Sequence, residues 1–538
     1  MDGVCSTVLM LRCLKRLGCE AQYYIPDRFS EGYGMNIKAI EELAIKGCKL
    51  LISVDCGITS IEEIRKAAEL GMDVIITDHH IPGSQLPDAI AIINPKLDKC
   101  EANYHLAGAG VVFKLCQALS RNRLSEEEVY TWLDLAALAT VADVVPLVGD
   151  NRILVKYGLP RISTTTNPGL QALIKACGLE GKKLNTWHLA FMLAPRINSA
   201  GRMKTAALSI ELLQSSEPAR ATEIAGLLCR LNDERRSLES AMFKDAVLQL
   251  EGLPDEKQGI IVLAADNWHP GITGIVASRL CERYNLPAIM ISWDQDIGKG
   301  SCRSVPGFNI YQALADNHRH LLQYGGHRLA AGLSLHRDEF ELFKSDIKNW
   351  AIQHILYEKT EPELNIDMQV EVKDLTPHLL RELELMQPFG EGNPQPLLLL
   401  RRARLASARL IGKQQEHFIC KVDGLSAVAF RQGSYLNSST GLINHDLAFY
   451  LEENDYGGNN QPRLRLHDIK PSFVPDELTR AAGSSRFFNL TQMIEKDLSQ
   501  SFNIMLVFPT YRTLEKSRPY MDYCFSRKRS GKFMAECR

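Results

Sequence analysis

The chain has 538 residues, and its 62 lysines and arginines nearly balance its 64 aspartates and glutamates, which leaves a formal net charge of −2. Hydrophobic residues make up 45% and charged residues 23% of the sequence, as in an ordinary globular protein. The length predicts three or four domains. The near-neutral charge means that any nucleic-acid binding has to come from local basic patches.

The fourteen cysteines are scattered and form no Cys-x-x-Cys pair. This pattern indicates a reduced cytoplasmic protein and argues against a disulfide scaffold or a zinc finger. No apolar run approaches the roughly 20 residues that span a bilayer. The first positive charges follow the N-terminal apolar stretch instead of preceding it, unlike those of a signal peptide.

The first 215 residues predict an α/β domain, because short apolar runs alternate with segments of helical spacing. The predicted helices cover residues 4–17, 37–47, 61–70, 107–120 and 126–142. The predicted strands cover residues 50–54, 74–77 and 89–93. Helices between strands favour a parallel sheet.

Acidic and imidazole side chains follow the apolar runs of this domain. Asp55 comes after Leu50–Val54, Asp78-His79-His80 come after 74–77, and Asp143 follows the apolar segment 138–142. Ligands collect at the carboxyl ends of strands in open α/β sheets, and such groups can hold Mg²⁺ or Mn²⁺. Each group alone could merely cap a helix or turn, so the prediction of a metal site rests on the set.

The rest of the chain divides into four further segments by composition. Residues 216–252 predict a connecting helix over most of 220–250, and residues 253–362 predict a second α/β domain. Short alternating runs in 363–475 predict a small β-barrel. Residues 476–538 remain uncertain, with one predicted strand at Ser501–Val507.

Several of these motifs resemble those of one superfamily. Asp78-His79-His80 resembles the motif that names the DHH phosphoesterases, and residues 54–59 and 142–147 resemble its second and fourth motifs. Gly325-Gly326-His327, followed by Ala330-Ala331-Gly332, is similar to the signature of the associated DHHA1 domain. Within the superfamily, the RecJ family of single-strand-specific 5′ exonucleases is the most similar, through the segments 195–203, 268–277, 300–304 and 388–394.

The resemblance implies roles for the residues of the first domain. Asp55, His79 and Asp143 would be metal ligands, joined by Asp2 from the first family motif, in a site for two Mn²⁺ or Mg²⁺ ions. His80 would contact the scissile phosphate as a catalytic residue, and Asp78 would orient the histidines.

The resemblance also implies a phosphate-binding role for residues of the first two domains. In the first domain these are Arg196, Asn198 and Arg202. In the second they are Arg303, Ser304, Gly326 and His327, because glycines let backbone amides approach a phosphate and arginine offers a fork of donors. A tight structural turn is the competing interpretation of the glycines, and a surface salt bridge that of Arg202.

The β-rich region resembles an oligonucleotide-binding (OB) domain. A basic cluster there consists of Arg401, Arg402, Arg404, Arg409 and Lys413. Phe418, Phe430 and Tyr450 are candidates for stacking on bases. A charged edge strand with ordinary core aromatics is the alternative.

The first motif of the family, Asp-x-Asp-x-Asp-Gly, is represented here only by Asp2-Gly3. We hypothesise that Met1 is an internal methionine of a longer protein. A two-metal site with fewer carboxylates holds its second cation less well, so we expect weak or absent nuclease activity, and an unpaired strand within the sheet.

The resemblance implies a metal-dependent exonuclease that degrades single-stranded DNA from the 5′ end in recombination and repair. It implies a monomer in the bacterial cytoplasm without membrane contact, with repair helicases and single-strand-binding protein as partners. Two alternatives are a DHH phosphodiesterase of short oligonucleotides or cyclic dinucleotides, which usually lacks a β-barrel, and a non-catalytic DNA-binding protein.

Overall fold

The parallel sheet of the first domain contains β1 (Leu50–Val54), β2 (Asp73–Thr77) and β3 (Ala91–Ile93), in that order. Val54 pairs with Thr77, and Thr77 pairs with Ile93, so the carboxyl ends of the strands are level. Among the described residues, no strand pairs with the outer edge of β1. The computed structural model describes residues 1–26, 34–97, 101–252, 259–354, 364–438, 444–454 and 461–472, together with the strands 505–508 and 534–537.

Helices form most of the first domain and place its core beside the sheet. They are α1 (Asp2–Arg16), α2 (Ile37–Ile45), α3 (Ile61–Glu69), α4 (Gly108–Ser120), α5 (Glu126–Thr131), α6 (Leu133–Ala142), α7 (Gly149–Ser163), α8 (Pro168–Ala176), α9 (Thr186–His188), a π-helix (Leu189–Leu193), α10 (Ala194–Met203), α11 (Ala207–Gln214) and α12 (Pro218–Gly252). Every residue of α6 from Leu133 to Val141 is buried, as expected for a helix that is apolar on all sides.

Residues 126–142 are helical as predicted, but they form two helices, α5 and α6, which meet at Trp132. The indole of Trp132 is buried in the core of the domain. The long helix predicted over most of 220–250 is confirmed as α12.

The second α/β domain contains a five-stranded sheet in the order β4-β5-β6-β8-β7, in which only β4 and β5 are parallel. Its elements are β4 (Ile261–Ala265), α13 (Pro270–Tyr284), β5 (Ala288–Asp294), β6 (Ile297–Arg303), α14 (Ile310–Asp316), β7 (Gln323–His327), β8 (Ala330–His336) and α15 (Phe340–His354). Short 3₁₀ helices cover His318–His320 and Arg337–Glu339. Both α/β domains belong to one compact unit, which comprises Met1–Glu361 and Pro388–Asn393.

The second compact unit comprises Pro362–Gln387 and Pro394–Arg538. Its seven-stranded sheet has the order β11-β12-β13-β15-β14-β10-β9. The elements are β9 (Met368–Val370), a 3₁₀ helix (Val372–Asp374), α16 (Pro377–Leu385), β10 (Leu398–Ala403), β11 (Leu405–Ile411), β12 (His417–Val422), β13 (Leu425–Ala429), α17 (Gly433–Ser438), β14 (His445–Glu453) and β15 (Pro462–Pro471). A separate parallel pair is formed by β16 (Met505–Phe508) and β17 (Met534–Cys537).

The seven-stranded sheet is consistent with the predicted small, OB-like β-barrel. Its end strands, β9 and β11, do not pair with each other in the described residues. However, β10 and β11 are separated only by Arg404 and lie towards opposite ends of the strand order, so the sheet curls back on itself. The chain bends where the register shifts between Leu400 and Ala403, with Arg402 at a φ of 57°.

Candidate metal centre and phosphate site

Four structural elements bring acidic and imidazole side chains to one edge of the parallel sheet. Asp55 directly follows β1, and Asp78 and His79 directly follow β2. Asp143 caps the carboxyl end of α6, and Asp2 is the first residue of α1. Because β1 and β2 are parallel and in register at their ends, their following residues meet at the same place.

His79 lies at the centre of this group. Its Nε2 is 3.1 Å from Asp55 Oδ1, 3.7 Å from Asp143 Oδ2 and 3.8 Å from Asp2 Oδ2. The donor atoms form two sets of three, each within 4.8 Å of one another: Asp55 with His79 and His80, and Asp2 with His79 and Asp143. The structure therefore brings together all four predicted metal ligands, and His80 with them.

Asp2 is held by the amino end of α4. Its Oδ2 accepts a hydrogen bond from Gly108 N at 2.6 Å, and its Oδ1 accepts one from Ala109 N at 2.8 Å. These amides belong to the first turn of α4, where the helix dipole favours a negative charge. The buried carboxylate is thus fixed in place beside His79.

The local structure fits a divalent cation. Asp55 Oδ1 is buried and makes no hydrogen bond of acceptable geometry. A Cβ added at Gly108 would lie 2.7 Å from this oxygen and 3.0 Å from Asp2 Oδ2, so only glycine leaves this space open. Carboxylate oxygens with one or two imidazoles suit Mn²⁺ and accommodate Mg²⁺.

Asp78 organises the loop that carries both histidines. Its Oδ1 accepts hydrogen bonds from His79 N at 2.7 Å and from His80 N at 3.1 Å, and it lies 2.7 Å from His80 Nδ1. Its Oδ2 accepts a hydrogen bond from Ile58 N at 3.0 Å. Although burial opposes ionisation, these bonds lower the pKa of Asp78, and the hydrogen bond that His80 Nδ1 donates to Asp78 raises the pKa of His80.

The crowding of carboxylates changes the protonation of the site. Burial, followed by the charges of Asp55 and Asp143, raises the pKa of Asp2 to about 8. Burial alone would lower the pKa of His79, but the Asp55 carboxylate 3.1 Å away and the charge of Asp2 outweigh burial and raise it to about 9. The metal-free site therefore retains protons near neutral pH that a cation would displace.

Cationic groups of both α/β domains and of α12 gather close to this centre. Burial and the neighbouring charges of Arg235 and Arg303 lower the pKa of Arg202 to about 10. Burial, Arg303 and His80 lower the pKa of His327, which lies near enough to both groups to interact electrostatically. Glu239 pairs with Arg235 at 2.8 Å, which leaves the guanidinium groups of Arg202 and Arg303 to favour an anion between them.

Three glycines permit the close packing of this cationic region. A Cβ at Gly271 would lie 2.3 Å from Arg202 O, and one at Gly274 would lie 3.0 Å from Arg303 Nη2. Gly326 has a φ of 139°, and a Cβ there would lie 2.5 Å from Ala330 O. Packing against backbone atoms therefore requires glycine at positions 271 and 326, whatever they bind, whereas an added Cβ at Gly325 would meet no atom within 4 Å.

The other predicted phosphate ligands have different surroundings. Arg196 Nη1 donates to Met192 O at 2.6 Å, and Asn198 is half-buried on the same helix, α10. The hydroxyl of Ser304 donates to Phe308 O at 2.9 Å. Phosphate binding by these three residues stays a prediction.

Sequence reasoning missed several polar groups beside the site. Ser301 accepts a hydrogen bond from Thr273 Oγ1 at 3.0 Å, and its Oγ would lie 3.5 Å from a Cβ at Gly274. Lys96 Nζ donates to the carbonyl oxygen of His79. Ser301 could have been identified from its place in the motif 300–304, and Arg235 from its place in the long helix. No sequence pattern pointed to Lys96.

The second unit corrects one of the predicted stacking residues. Phe418 is fully buried in the core of the second unit, so the prediction that it stacks on bases is wrong. Phe430 is exposed and packs edge-on against His417, and Tyr450 lies 4.4 Å from the guanidinium of Arg465. Every member of the basic cluster is exposed: Arg401, Arg402, Arg404, Arg409 and Lys413.

Comparison with known proteins gives three domain matches. The DHH family N-terminal domain matches residues 1–140, the DHHA1 domain matches residues 257–353, and the RecJ OB domain matches residues 366–468. The single-stranded-DNA-specific exonuclease RecJ of Dickeya dadantii is 34% identical over 495 residues, which cover 87% of this chain and 86% of that protein. The chain belongs to the RecJ family.

Two further RecJ proteins are similar to the chain. RecJ of Bacillus subtilis is 37% identical over 480 residues, which cover 88% of this chain but 60% of that protein. The chain thus spans less than two thirds of the length of that relative. The crystal structure of RecJ from Thermus thermophilus in complex with Mn²⁺ has a TM-score of 0.76 and 30% identity, and covers 100% of this chain and 79% of that one.

Within the described residues, no helix combines the length and the apolar character that crossing a bilayer requires. Every cysteine in the described part of the chain up to Cys420 is a free thiol.

Proposed function

We propose that the chain is a metal-dependent exonuclease that hydrolyses single-stranded DNA from the 5′ end, in recombination and repair. The observation that carries this proposal is the convergence of Asp2, Asp55 and Asp143 on His79 Nε2, at 3.1–3.8 Å. The named activity of the RecJ relatives and the Mn²⁺ in the similar Thermus structure support the same conclusion.

Asp2, Asp55, His79 and Asp143 would hold two Mn²⁺ or Mg²⁺ ions, because the three carboxylates converge on His79 Nε2. Bound ions would polarise the phosphoryl group and lower the pKa of a water molecule. Asp78 fixes both histidines through their backbone amides, so His79 and His80 keep their orientation as substrate enters.

His80 is the group we expect to contact the scissile phosphate. Its Nδ1 is bonded to Asp78, so the opposite nitrogen, Nε2, is the one that would face substrate. The ring is 59% exposed, whereas that of His79 is 9% exposed, which suits contact with substrate for His80 and metal binding for His79. The raised pKa of His80 favours the protonated form, which donates to a phosphate oxygen.

Arg202, Arg303 and His327 would bind the DNA backbone and the terminal phosphate. Phosphate contacts supply affinity without reading sequence, which suits an exonuclease that accepts any strand. The exposed basic cluster and Phe430 of the second unit offer a surface for single-stranded DNA, since stacking tolerates every base. By family likeness, we also propose that repair helicases and single-strand-binding protein are partners of the chain. On the same basis, we propose that it is a monomer and acts in the bacterial cytoplasm.

The test is digestion of single- and double-stranded oligonucleotides that carry a label at either end, with Mn²⁺, with Mg²⁺ and with EDTA. We expect metal-dependent but weak release of short products from the labelled 5′ end of single strands, because the first motif is incomplete, and still slower digestion of duplexes. The matched variant Asp143→Asn should lose this activity. Binding without hydrolysis in Mn²⁺ would indicate a DNA-binding protein, and activity confined to very short oligonucleotides would indicate a different phosphodiesterase.

A further inference from the structure

The segment Pro388–Asn393, here called the return segment, has an unusual place in the fold. It packs with the first compact unit, although the residues before it and after it belong to the second. The segment closes on itself through Gly390 N to Asn393 O at 3.0 Å, Asn393 N to Gly390 O at 3.2 Å, and Asn393 Nδ2 to Pro388 O at 2.7 Å. These bonds give it a fixed shape without help from a neighbouring strand or helix.

The return segment is fitted closely against residues 144–148. Leu147 N donates to Glu391 O at 2.6 Å. A Cβ at Gly390 would lie 2.7 Å from Leu147 Cδ1, and one at Gly392 would lie 2.9 Å from Pro146 Cβ. Gly392 also has a φ of +69°, which other residues adopt only with strain. Both glycines are therefore needed for the contact.

Residues 144–148 directly follow Asp143, one of the groups around His79. Val144 has a φ of 58°, an uncommon conformation for a β-branched residue, so the chain leaves Asp143 under strain. On its other side the loop is held by Asn151 Nδ2, which donates to Pro146 O at 3.0 Å and to His105 O at 2.5 Å. Strained backbone of this kind persists only where the surroundings hold it.

The return segment supplies the remaining restraint. Leu147 is buried, and without Glu391 O its backbone amide would lose its hydrogen-bond acceptor. A second bond, from Thr186 Oγ1 to Phe389 O at 2.6 Å, ties the segment to the domain at a separate point. The loop after Asp143 is thus enclosed between Asn151 and a piece of chain far away in the sequence.

We propose that the return segment is a positioning device for Asp143: it holds loop 144–148 so that the Asp143 carboxylate stays at metal-binding distance from His79 and Asp2. Metal ligands have to be held within fractions of an ångström by the groups behind them. The proposal rests on the proposed function, since it takes Asp143 to be a metal ligand. A segment that serves only to anchor the chain would leave metal binding unchanged.

The test compares Gly392→Val with Gly178→Val in the full chain. Gly178 has a φ of +67°, and no atom lies within 4 Å of an added Cβ, so the backbone strain is matched without the contact to Pro146. Bound Mn²⁺ is counted by electron paramagnetic resonance titration, and folding is checked by thermal unfolding. If Gly392→Val does not fold, Asn393→Ala carries the test, because it removes the hydrogen bond from Asn393 Nδ2 to Pro388 O that helps to close the segment.

We expect Gly392→Val to weaken one of two Mn²⁺ binding steps at least tenfold, and to leave the other within twofold. The step retained is the one that depends on Asp55 and His79, whose Oδ1 and Nε2 lie 3.1 Å apart, and not on Asp143. Excess Mn²⁺ should restore part of the hydrolysis. Gly178→Val should bind Mn²⁺ like the unmodified chain. Folded variants of the return segment with unchanged Mn²⁺ affinity would overturn the proposal, whereas an unmodified chain that binds no Mn²⁺ would overturn the proposed function instead.

Discussion

Asp78 Oδ1 lies 2.7 Å from His80 Nδ1, and the same oxygen accepts hydrogen bonds from the backbone amides of His79 and His80. One buried carboxylate therefore sets both the path of the chain and the orientation of an exposed imidazole. The relationship explains why three consecutive polar residues can follow a buried strand. Asp78 faces inwards and accepts the hydrogen bonds of the backbone amides in this loop. The imidazole of His79 can then face the carboxylates, and that of His80 can face the solvent.

Replacement of Asp78 by Asn tests this supporting role. The amide cannot accept the same set of charge-assisted hydrogen bonds, so we expect metal affinity and hydrolysis to fall by roughly 10- to 100-fold, as is typical when a group behind a metal ligand is lost. Asp73→Asn is the matched control, because Asp73 begins the same strand and is exposed. Mn²⁺ titration and oligonucleotide digestion give the two readouts. Equal effects of the two substitutions would contradict the assignment.

Metal binding should strengthen as the pH rises from 6 to 8. In the metal-free site the pKa of Asp2 is raised to about 8 and that of His79 to about 9, so both groups are largely protonated at pH 6 to 7. A cation binds only the deprotonated ligands and has to displace these protons. Calorimetric titration with Mn²⁺ in two buffers of different ionisation enthalpy should reveal proton release. If almost no protons are released on Mn²⁺ binding at pH 7, the metal-free site does not hold the protons that we assign to Asp2 and His79.

Arg303 is expected to act on substrate affinity. The substitution Arg303→Gln removes one of the clustered guanidinium groups, and loss of a charged hydrogen bond to phosphate costs roughly 1.5–3 kcal/mol. We expect KM to rise by about 10- to 100-fold, with a shallower dependence of binding on salt concentration. Arg230→Gln is the control, because Arg230 is exposed on α12. An unchanged KM in 50 mM and 200 mM salt would exclude Arg303 from the phosphate site.

His445 should make the second unit sensitive to acid. Burial lowers the pKa of His445 from 6.5 to about 4. A backbone hydrogen bond with Ala403 and the charge of Asp446 act in the opposite direction but are outweighed. The unfolded chain therefore takes up the proton first. Neutral His445 makes its full contribution to the free energy of unfolding of the second unit above pH 6.5. This contribution is lost as the pH falls towards 4, and the loss amounts to at most roughly 3 kcal/mol.

The variant His445→Leu tests this effect by removing the titrating ring, and His378→Leu, at an exposed position, is its control. Hydrogen exchange of β12 and β14, compared between variants at the same pH, reports on the second unit alone. We expect His445→Leu to reduce the additional exchange seen at pH 5 relative to pH 7. Identical acid responses in the unmodified chain and His445→Leu would disprove the assignment.

Local sequence patterns determined much of the site. The apolar runs before Asp55 and Asp78 have the length and composition of buried strands, and parallel strands bring the residues after them to one edge. The same logic predicted the long helix α12, because helical spacing is a short-range property. The break at Trp132 was not visible, since the composition on both sides of it favours a helix.

The sequence by itself determined which residues could bind metal and phosphate, because residue type and position after a strand are local facts. Only the tertiary structure decided the rest: that Gly108 and Ala109 hold Asp2, that Phe418 faces the core, and that Glu391 accepts the amide of Leu147. Each of these contacts joins segments distant along the chain. Their formation depends on how helices and sheets pack in three dimensions, which no periodicity in the sequence records.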